Sequence, residues 1–253
     1  MNKQGKVSWE KEGNVAIIII NNPPVNAIST EVAEQLYACL QEIERSTEIR
    51  CVVLSSVGEK FFMAGAEITQ LTGSNYIKLD FVFNYIDFFP TPVVIAIQGM
   101  ALGGGTELML CCDLCIAAEN ACFGLPEIKL GLIPGGGGTQ RLPRRVGEIK
   151  AKELMFLGDF IPAKEALRIG LVNQVVPEGN ALEEAKNMAK RIAAQPAVAI
   201  NLIKQCVERG LELPLLDGLK IEARLFERVY RTFDGSEGVA AFLEKRKPNF
   251  KHK

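Results

Sequence analysis

The sequence is almost without histidine. Its 253 residues include a single one, His252, which stands next to the end of the chain. Chain ends are often poorly ordered, so a Ser-His-Asp triad, a Cys-His pair or a histidine-based metal site is not expected. If the chain carries out acid–base chemistry, carboxylates are the leading candidates for moving protons.

An excess of basic residues is also missing. Lys and Arg together number 29, Asp and Glu number 30, and the formal net charge is −1. Proteins that bind nucleic acid usually carry a clear positive excess. Two short basic runs exist, one made of Arg141, Arg144 and Arg145 and the other at residues 245–247. We interpret both as solvated surface charge.

Long apolar runs and a secretory signal are absent as well. The longest apolar runs, residues 15–20 and 93–97, are far shorter than the roughly 20 residues that span a bilayer. The polar N-terminus does not resemble a signal peptide. We therefore expect a soluble, cytoplasmic protein with no membrane partner.

Cysteine is present in an odd number, seven, which favours reduced thiols in a reducing compartment. Cys111, Cys112, Cys115 and Cys122 cluster and include one CxxC. A closed zinc site needs four ligands, often two such pairs or added histidines, and no second pair exists. Buried core thiols are the favoured interpretation, and no metal site is expected.

Strand-like apolar runs alternate with turn-rich loops and helical patterns along the first part of the chain. The strand-like runs are residues 14–21, 50–56, 91–98 and 114–118. The helical patterns between them are residues 30–44, 77–88 and 106–111. Starts roughly 35 to 40 residues apart predict stacked strand-and-helix turns, a spiral, in an α/β fold. Continuous apolar strands indicate sheets covered on both faces.

The composition changes after Gly158. A helix at 163–169 and a strand at 170–177 are predicted first. Helical patterns then fill the rest of the chain, at residues 181–194, 197–210, 215–233 and 236–245. We divide the chain into a core with the active site, residues 1–195, and a helical region, residues 196–253.

Three glycine-rich loops lie at residues 64–66, 103–105 and 135–138. None fits a phosphate loop or a dinucleotide fingerprint. The second loop follows a buried strand and opens a helix, whose first N–H groups are unpaired and attract negative charge. Glu107 lies just inside this helix among apolar residues, where a carboxylate is costly unless it is paired or functional.

Glu127 follows an aromatic loop, CFGLPE, in which Pro126 favours a fixed conformation. On these residues alone, two plainer interpretations stay open. Glu107 is then a helix-start glutamate stabilised by the helix dipole, and Glu127 is a carboxylate on a surface loop.

Together these segments resemble the enoyl-CoA hydratase/isomerase (crotonase) family. The resemblance rests on FFMAGAEI at 61–68, IAIQGMALGGGTELMLCCD at 95–113 and FGLPEIKLGLIPGGGGTQRLPRRVG at 123–147, with later matches at 163–176 and 242–250. It covers nearly the whole chain, and its motifs occur in the family's order.

The resemblance implies a crotonase fold, a spiral of ββα turns with a C-terminal helical region that builds homotrimers, often paired into hexamers. It implies an acyl-CoA substrate and no separate cofactor, because CoA is part of the substrate. The activity it implies is reversible hydration of 2-enoyl-CoA to 3-hydroxyacyl-CoA.

By motif alignment, the resemblance also assigns roles to residues. Glu107 and Glu127 are the expected catalytic carboxylates, and the amides of Ala66 and Gly104 are the expected oxyanion hole for the thioester oxygen. The expected acyl-CoA contacts are Ala64, Ala66, Glu67, Ile68, Thr69, Gly104 and Gly135.

Two departures from the family pattern are visible. Glu67 stands where the family usually has Asp, and Thr69 stands where many hydratases have Lys. Isomerisation of enoyl-CoA, or another acyl-CoA lyase reaction, is the alternative activity on the same scaffold, because one glutamate can shuttle a proton without adding water. RNA binding is a more distant alternative that only the short basic runs support.

Overall fold

The computed structural model describes residues 5–67 and 75–253. Within these residues the strands form one six-stranded and one four-stranded sheet. In chain order they are β1 (Val7–Glu12), β2 (Val15–Ile20), β3 (Cys51–Ser56), β4 (Phe61–Ala64), β5 (Val93–Ile97), β6 (Met100–Leu102), β7 (Leu114–Ala118), β8 (Cys122–Gly124), β9 (Ile161–Pro162) and β10 (Gln174–Val176).

The helices make up most of the second half of the chain. They are α1 (Thr30–Glu44), α2 (Asn75–Asp87), α3 (Gly104–Leu110), α4 (Gly138–Val146), α5 (Glu148–Leu157), α6 (Ala163–Arg168), α7 (Ala181–Ala193), α8 (Ala197–Gly210), α9 (Leu215–Tyr230) and α10 (Phe233–Leu243), and a 3₁₀ helix spans Pro126–Leu130.

Successive turns of the chain add one strand to each sheet. The large sheet has the order β1-β2-β3-β5-β7-β10 and the small sheet the order β4-β6-β8-β9. The pairs β3–β5, β5–β7, β4–β6 and β6–β8 are all parallel. The units β3–β4–α2, β5–β6–α3 and β7–β8–3₁₀ therefore stack as a spiral, and the predicted crotonase-type fold is confirmed.

The large sheet is covered on both faces. Alternate residues of a strand point to opposite sides, and the buried side chains accordingly divide into two clusters. One face packs on α7 through alanines four residues apart, at Ala181, Ala185, Ala189 and Ala193. Small side chains on this stripe let α7 approach the strands closely, and this covering explains why the strands read as unbroken apolar runs.

Several elements differ from the sequence-based prediction. Edge strand β1 was missed, because its sequence VSWEKE is half polar. Strands β4, β6 and β8 lie in segments predicted as loops, and β9 lies just before the predicted helix at 163–169. The prediction gave no helix at α4 or α5, and α4 contains Pro143. Helix α3 begins at Gly104 rather than at 106.

The C-terminal helical region ends in a folded-back tail. Thr232 interrupts the predicted helix 215–233, and its side chain caps α10 by accepting a hydrogen bond from the Gly235 amide. Asp234, buried at 2% exposure, accepts hydrogen bonds from the amides of Lys251 at 2.5 Å and His252 at 2.6 Å. The tail is therefore tied to the first turn of α10, unlike a frayed end.

The cysteine cluster is built into the interior. Cys111, Cys112 and Cys115 are buried and Cys122 is half-buried, all as free thiols. Burial raises the pKa of the Cys115 thiol to about 12, so this thiol stays protonated. The interpretation as core thiols is therefore confirmed. Among the described residues, no helix has the length and apolar character needed to cross a bilayer.

Candidate active site

The residues with predicted catalytic roles follow successive parallel strands of the small sheet. Ala66 comes shortly after β4, Gly104 after β6 and Glu127 after β8. The carboxyl ends of parallel strands meet at one edge of a sheet, and ligands of α/β folds commonly bind there. The topology thus brings together residues that are far apart in sequence.

The amide nitrogen of Ala66 lies close to Gly104. Ile28 pairs with the chain on either side of Ala66, because its amide donates to Gly65 O at 2.9 Å and its carbonyl accepts from the Glu67 amide at 3.0 Å. Peptide groups alternate along an extended chain, so the Ala66 N–H points away from Ile28. A Cβ placed on Gly104 would be 3.3 Å from the Ala66 nitrogen.

Both of these N–H groups are available to a ligand. Gly104 is the first residue of α3, and the first N–H groups of a helix have no intrahelical acceptor. Among the residues that the structure describes, neither the Ala66 nor the Gly104 amide has a hydrogen-bond acceptor. The α3 N-terminus adds partial positive charge at this point.

The start of α3 is fitted tightly between β4 and β8. Gly103 adopts φ +53° and ψ −122°, a conformation that favours glycine, and its amide donates to Gly124 O at 2.9 Å. A Cβ on Gly105 would be 2.4 Å from the Met63 carbonyl oxygen. The three consecutive glycines therefore set the position of α3, and with it the direction of Glu107.

Glu107 is buried in the first turn of α3, with 5% exposure. Its Oε1 accepts hydrogen bonds from the Gly136 amide at 2.7 Å and the Gly138 amide at 2.9 Å. Hydrogen bonds from backbone N–H groups favour the ionised form of a carboxylate. The third glycine-rich loop thus acts as a clamp on Glu107.

Glu127 reaches the same place from the 3₁₀ helix. Its Oε1 is 3.1 Å from the position of a Cβ on Gly103, the residue that precedes α3. Its Oε2 is buried and has no hydrogen-bond partner among the described residues. Burial, with a smaller contribution from the negative charge of Glu107, raises the pKa of Glu127 to about 7. Near neutral pH this carboxyl group can therefore both give and take a proton.

The arrangement suits acid–base chemistry next to a carbonyl group. Two amides can stabilise negative charge that develops on a carbonyl oxygen. One carboxylate is clamped by backbone donors and the other has a pKa matched to neutral pH, which is favourable for proton transfer. Among the described residues, no group of three or more His, Cys, Asp or Glu side chains could hold a metal ion.

The other predicted substrate contacts are spread along the same edge. Ala64 is the last residue of β4 and pairs with Leu102. Glu67 follows Ala66 and donates its amide to Ile28. Gly135 opens the loop that clamps Glu107. Ile68 and Thr69 lie outside the described residues.

Sequence reasoning missed the residues that support Glu107. Gly136 and Gly138 belong to a loop that the sequence marked only as glycine-rich, and Phe83 comes from a different helix. A Cβ on Gly136 would be 2.4 Å from the Phe83 ring and 2.7 Å from Glu107 Oε2. The four consecutive glycines were the available signal, since close approach of a backbone to other groups requires glycine.

The basic run on α4 serves internal contacts. The Arg145 guanidinium donates to the carbonyls of Leu110 at 3.4 Å and Cys112 at 3.0 Å, at the end of α3. Only 15% of the Arg141 side chain is exposed. Two of the three arginines are therefore not free surface charge, which weakens the case for nucleic-acid binding.

Comparisons with known proteins identify the family to which the chain is similar. The family model described as enoyl-CoA hydratase/isomerase matches residues 10–253. The chain is 41% identical over 249 residues to the short-chain-enoyl-CoA hydratase of Clostridium acetobutylicum, covering 95% of each chain. It is 40% identical over 249 residues to the crotonyl-CoA hydratase of Syntrophomonas wolfei, covering 95% of this chain and 96% of the other.

Solved structures give the same picture. The crystal structure of an enoyl-CoA hydratase from Bacillus anthracis superposes with a TM-score of 0.93 at 39% identity. The match covers 98% of this chain and 100% of the other.

Proposed function

This chain belongs to the enoyl-CoA hydratase/isomerase family and hydrates enoyl-CoA thioesters, and we propose that Glu107 and Glu127 carry out that reaction beside an oxyanion hole formed by Ala66 and Gly104. The observation that carries the proposal is the Glu127 carboxyl group. It is half-buried beside the start of α3, within the influence of the Glu107 charge, and its pKa is raised to about 7.

The thioester oxygen would accept hydrogen bonds from the Ala66 and Gly104 amides. Attack at the β-carbon moves charge through the conjugated system onto this oxygen and gives an enolate. Two backbone donors and the α3 N-terminus stabilise the developing charge. In other enzymes, loss of one such donor costs about 10²–10³ in rate.

The two carboxyl groups would divide the proton transfers. Ionised Glu107 takes a proton from water as the water oxygen bonds to the β-carbon. Protonated Glu127 gives its proton to the α-carbon as the enolate collapses. The proton taken from water ends on Glu107 and passes to Glu127 through solvent or directly, so the active pair carries one proton in total. The reverse reaction uses the same groups in exchanged roles.

We propose short 2-enoyl thioesters as the preferred substrates, because two of the similar proteins are named for short-chain and crotonyl substrates. The test is to mix the protein with crotonyl-CoA and follow the absorbance of the conjugated thioester. Turnover should fall as the acyl chain is lengthened. No loss of absorbance with short, medium or long 2-enoyl-CoA thioesters would refute the proposed hydration.

Isomerisation is separated from hydration by a second assay. An isomerase needs one carboxyl group to move a proton between carbons, whereas hydration uses a second group to activate water. The clamped Glu107 favours hydration. With 3-enoyl-CoA as substrate, we expect conversion much slower than hydration of crotonyl-CoA. Faster conversion of the 3-enoyl isomer would make isomerisation the main activity.

We propose further that the chain assembles as a homotrimer through its C-terminal helices, with pairing of trimers into hexamers as a further step. Helix α9 buries none of its residues within the described chain. Its exposed apolar side chains, with those of α10, include Leu215, Leu216, Leu219, Phe226, Tyr230, Phe242 and Leu243. An accumulation of exposed apolar side chains is typical of interfaces. Light scattering should give three or six times the chain mass of 27.7 kDa, and a monomer would refute assembly.

A further inference from the structure

Arg141 contacts the loop that clamps Glu107. Its side chain is only 15% exposed, and its Nη1 donates to the carbonyl oxygen of Gly136 at 3.0 Å. The amide of the same glycine donates to Glu107 Oε1 at 2.7 Å. Gly136 therefore connects the guanidinium group to the carboxylate through its own backbone.

The guanidinium group is itself fixed from α2. Its Nε donates to Asp87 Oδ2 at 2.8 Å and its Nη2 to Asn84 Oδ1 at 2.8 Å. With Gly136, these contacts engage three different nitrogens of a planar group and so define its orientation. A lysine ammonium at this position carries the same charge but cannot reproduce that planar arrangement of donors.

The glycine loop has little space to move between its neighbours. A Cβ on Gly137 would be 1.9 Å from Arg141 Nη1. A Cβ on Gly136 would be 2.4 Å from the ring of Phe83, which belongs to α2 as well. The loop is therefore enclosed by Arg141 on one side and by Phe83 on the other, and α2 supports both.

We propose that Arg141 is a positioning residue for hydration, which fixes Gly136 and through it the orientation of the Glu107 carboxylate. The proposal rests on the proposed role of Glu107. In this role Arg141 acts on the group that activates water and has no part in holding CoA. Its loss should therefore lower kcat and leave KM nearly unchanged.

The first experiment compares Arg141→Lys with Arg144→Gln in the hydration of crotonyl-CoA. Arg144 is one turn along the same helix and its guanidinium donates to the Gln140 carbonyl at 2.9 Å on the protein surface, so Arg144→Gln is the matched control. Misplacement of a catalytic group by about 1 Å can cost about 10²-fold. We expect Arg141→Lys to lose about tenfold to 100-fold in kcat, with KM within about twofold, and the control to keep its kcat.

Chemical rescue separates positioning from a general structural role. Arg141→Ala leaves space for a small cation, so millimolar guanidinium should restore part of the lost kcat in a saturable manner. A structural anchor would instead lower the melting temperature and would not respond to guanidinium. If Arg141→Ala does not fold, Asn84→Ala removes one partner of the guanidinium, and it should lower kcat less than Arg141→Lys does.

The outcomes distinguish this inference from the proposed function. A folded Arg141→Lys variant with the kcat of the unmodified protein would overturn the inference, as would a loss of kcat that only accompanies unfolding. Neither result would affect hydration by the unmodified protein. If the unmodified protein hydrates no enoyl-CoA, the proposed function itself fails.

Discussion

Glu107 and Glu127 differ in what surrounds their carboxyl groups, and this difference supports the separate roles proposed for them. Glu107 accepts two backbone hydrogen bonds, whereas Glu127 has a buried oxygen without a partner among the described residues. The first environment favours a carboxylate and the second raises the pKa to about 7. We therefore propose that Glu107 activates water and that Glu127 delivers the proton to the α-carbon.

Replacement of Glu127 by Gln should nearly abolish turnover while substrate binding persists. The amide cannot deliver a proton to the α-carbon, and general acid–base groups contribute about 10²–10⁴ to rate. The thioester contacts proposed for Ala66 and Gly104 are unchanged in this variant. The measurement is kcat with crotonyl-CoA, together with calorimetric binding of a CoA thioester. Turnover close to that of the unmodified protein would show that the roles are misassigned.

The rate should also depend on pH through Glu127. Its pKa is raised to about 7, so the protonated form needed for donation is lost as pH rises above that value. We expect kcat/KM for hydration to decline about tenfold per unit above pH 7. Hydration consumes no net proton, so kcat/KM for dehydration must show the same pH dependence.

A control is available for this pH dependence. Burial raises the pKa of Glu208 to about 7 as well, but this residue lies on α8 and pairs with Lys204. Glu208→Gln should leave the midpoint of the profile unchanged. A midpoint that disappears in this variant would mean that Glu127 does not set the pH dependence.

The position of helix α3 depends on the glycines at its start, which allow it to pack closely against β4. It spans only seven residues, and a helix so short is unstable by itself, so packing against β4 holds it in place. The Gly105 backbone lies against the Met63 carbonyl, since a Cβ there would approach that oxygen to 2.4 Å. Any side chain at this position must push α3 away from β4.

Gly105→Ala should therefore lower both stability and activity. Overpacking in a tight interior typically costs about 1–3 kcal/mol, and displacement of α3 moves both Gly104 and Glu107. The melting temperature and kcat of this variant should both be lower than those of the unmodified protein. Gly210→Ala is the matched control, because a Cβ at Gly210 meets nothing within 4 Å. That change in α8 should be neutral or slightly stabilising. Equal effects of the two variants would contradict the packing argument.

Prediction from sequence succeeded where an element is long and apolar. Strands β2, β3, β5 and β7 were predicted within a few residues, because burial on both faces demands continuous apolar runs. The small sheet was missed because its strands have two to four residues, too few to show a period. Local patterns also do not reveal that β4, β6 and β8 are neighbours.

The candidate site was predictable in part. Glu107 stood out because a helix start leaves a carboxylate among apolar residues, and the family resemblance supplied the other positions. Contacts across the fold were not accessible in this way. Nothing in the sequence indicates that Arg141 would reach Gly136 or that Phe83 would lie against it, because these contacts depend on how α2 and α4 pack.

The C-terminal tail is attached to the first turn of the last helix, α10. Asp234 accepts amide hydrogen bonds from Lys251 and His252, and its side chain is almost fully buried. Removal of this carboxylate would leave two amide donors without an acceptor. Such groups cost about 1–3 kcal/mol each when they stay buried.

Asp234→Ala should therefore destabilise the protein without a direct effect on the chemistry. We expect the free energy of unfolding to fall by about 1–3 kcal/mol and kcat at low temperature to stay unchanged. Asp159→Ala is the control, since Asp159 forms an exposed pair with Lys129 outside the C-terminal helices, and such pairs contribute little. Urea unfolding should be compared at one protein concentration, because assembly stabilises by mass action. Equal stability of both variants would contradict a structural role for the tail.

The spacing between strands of the small sheet sets the spacing of the residues proposed for the reaction. Ala66, Gly104 and Glu127 each follow one of three adjacent strands, and adjacent strands lie about 4.8 Å apart. Because these residues follow different strands, the side chain at position 127 can be replaced while the Ala66 and Gly104 amides keep their places.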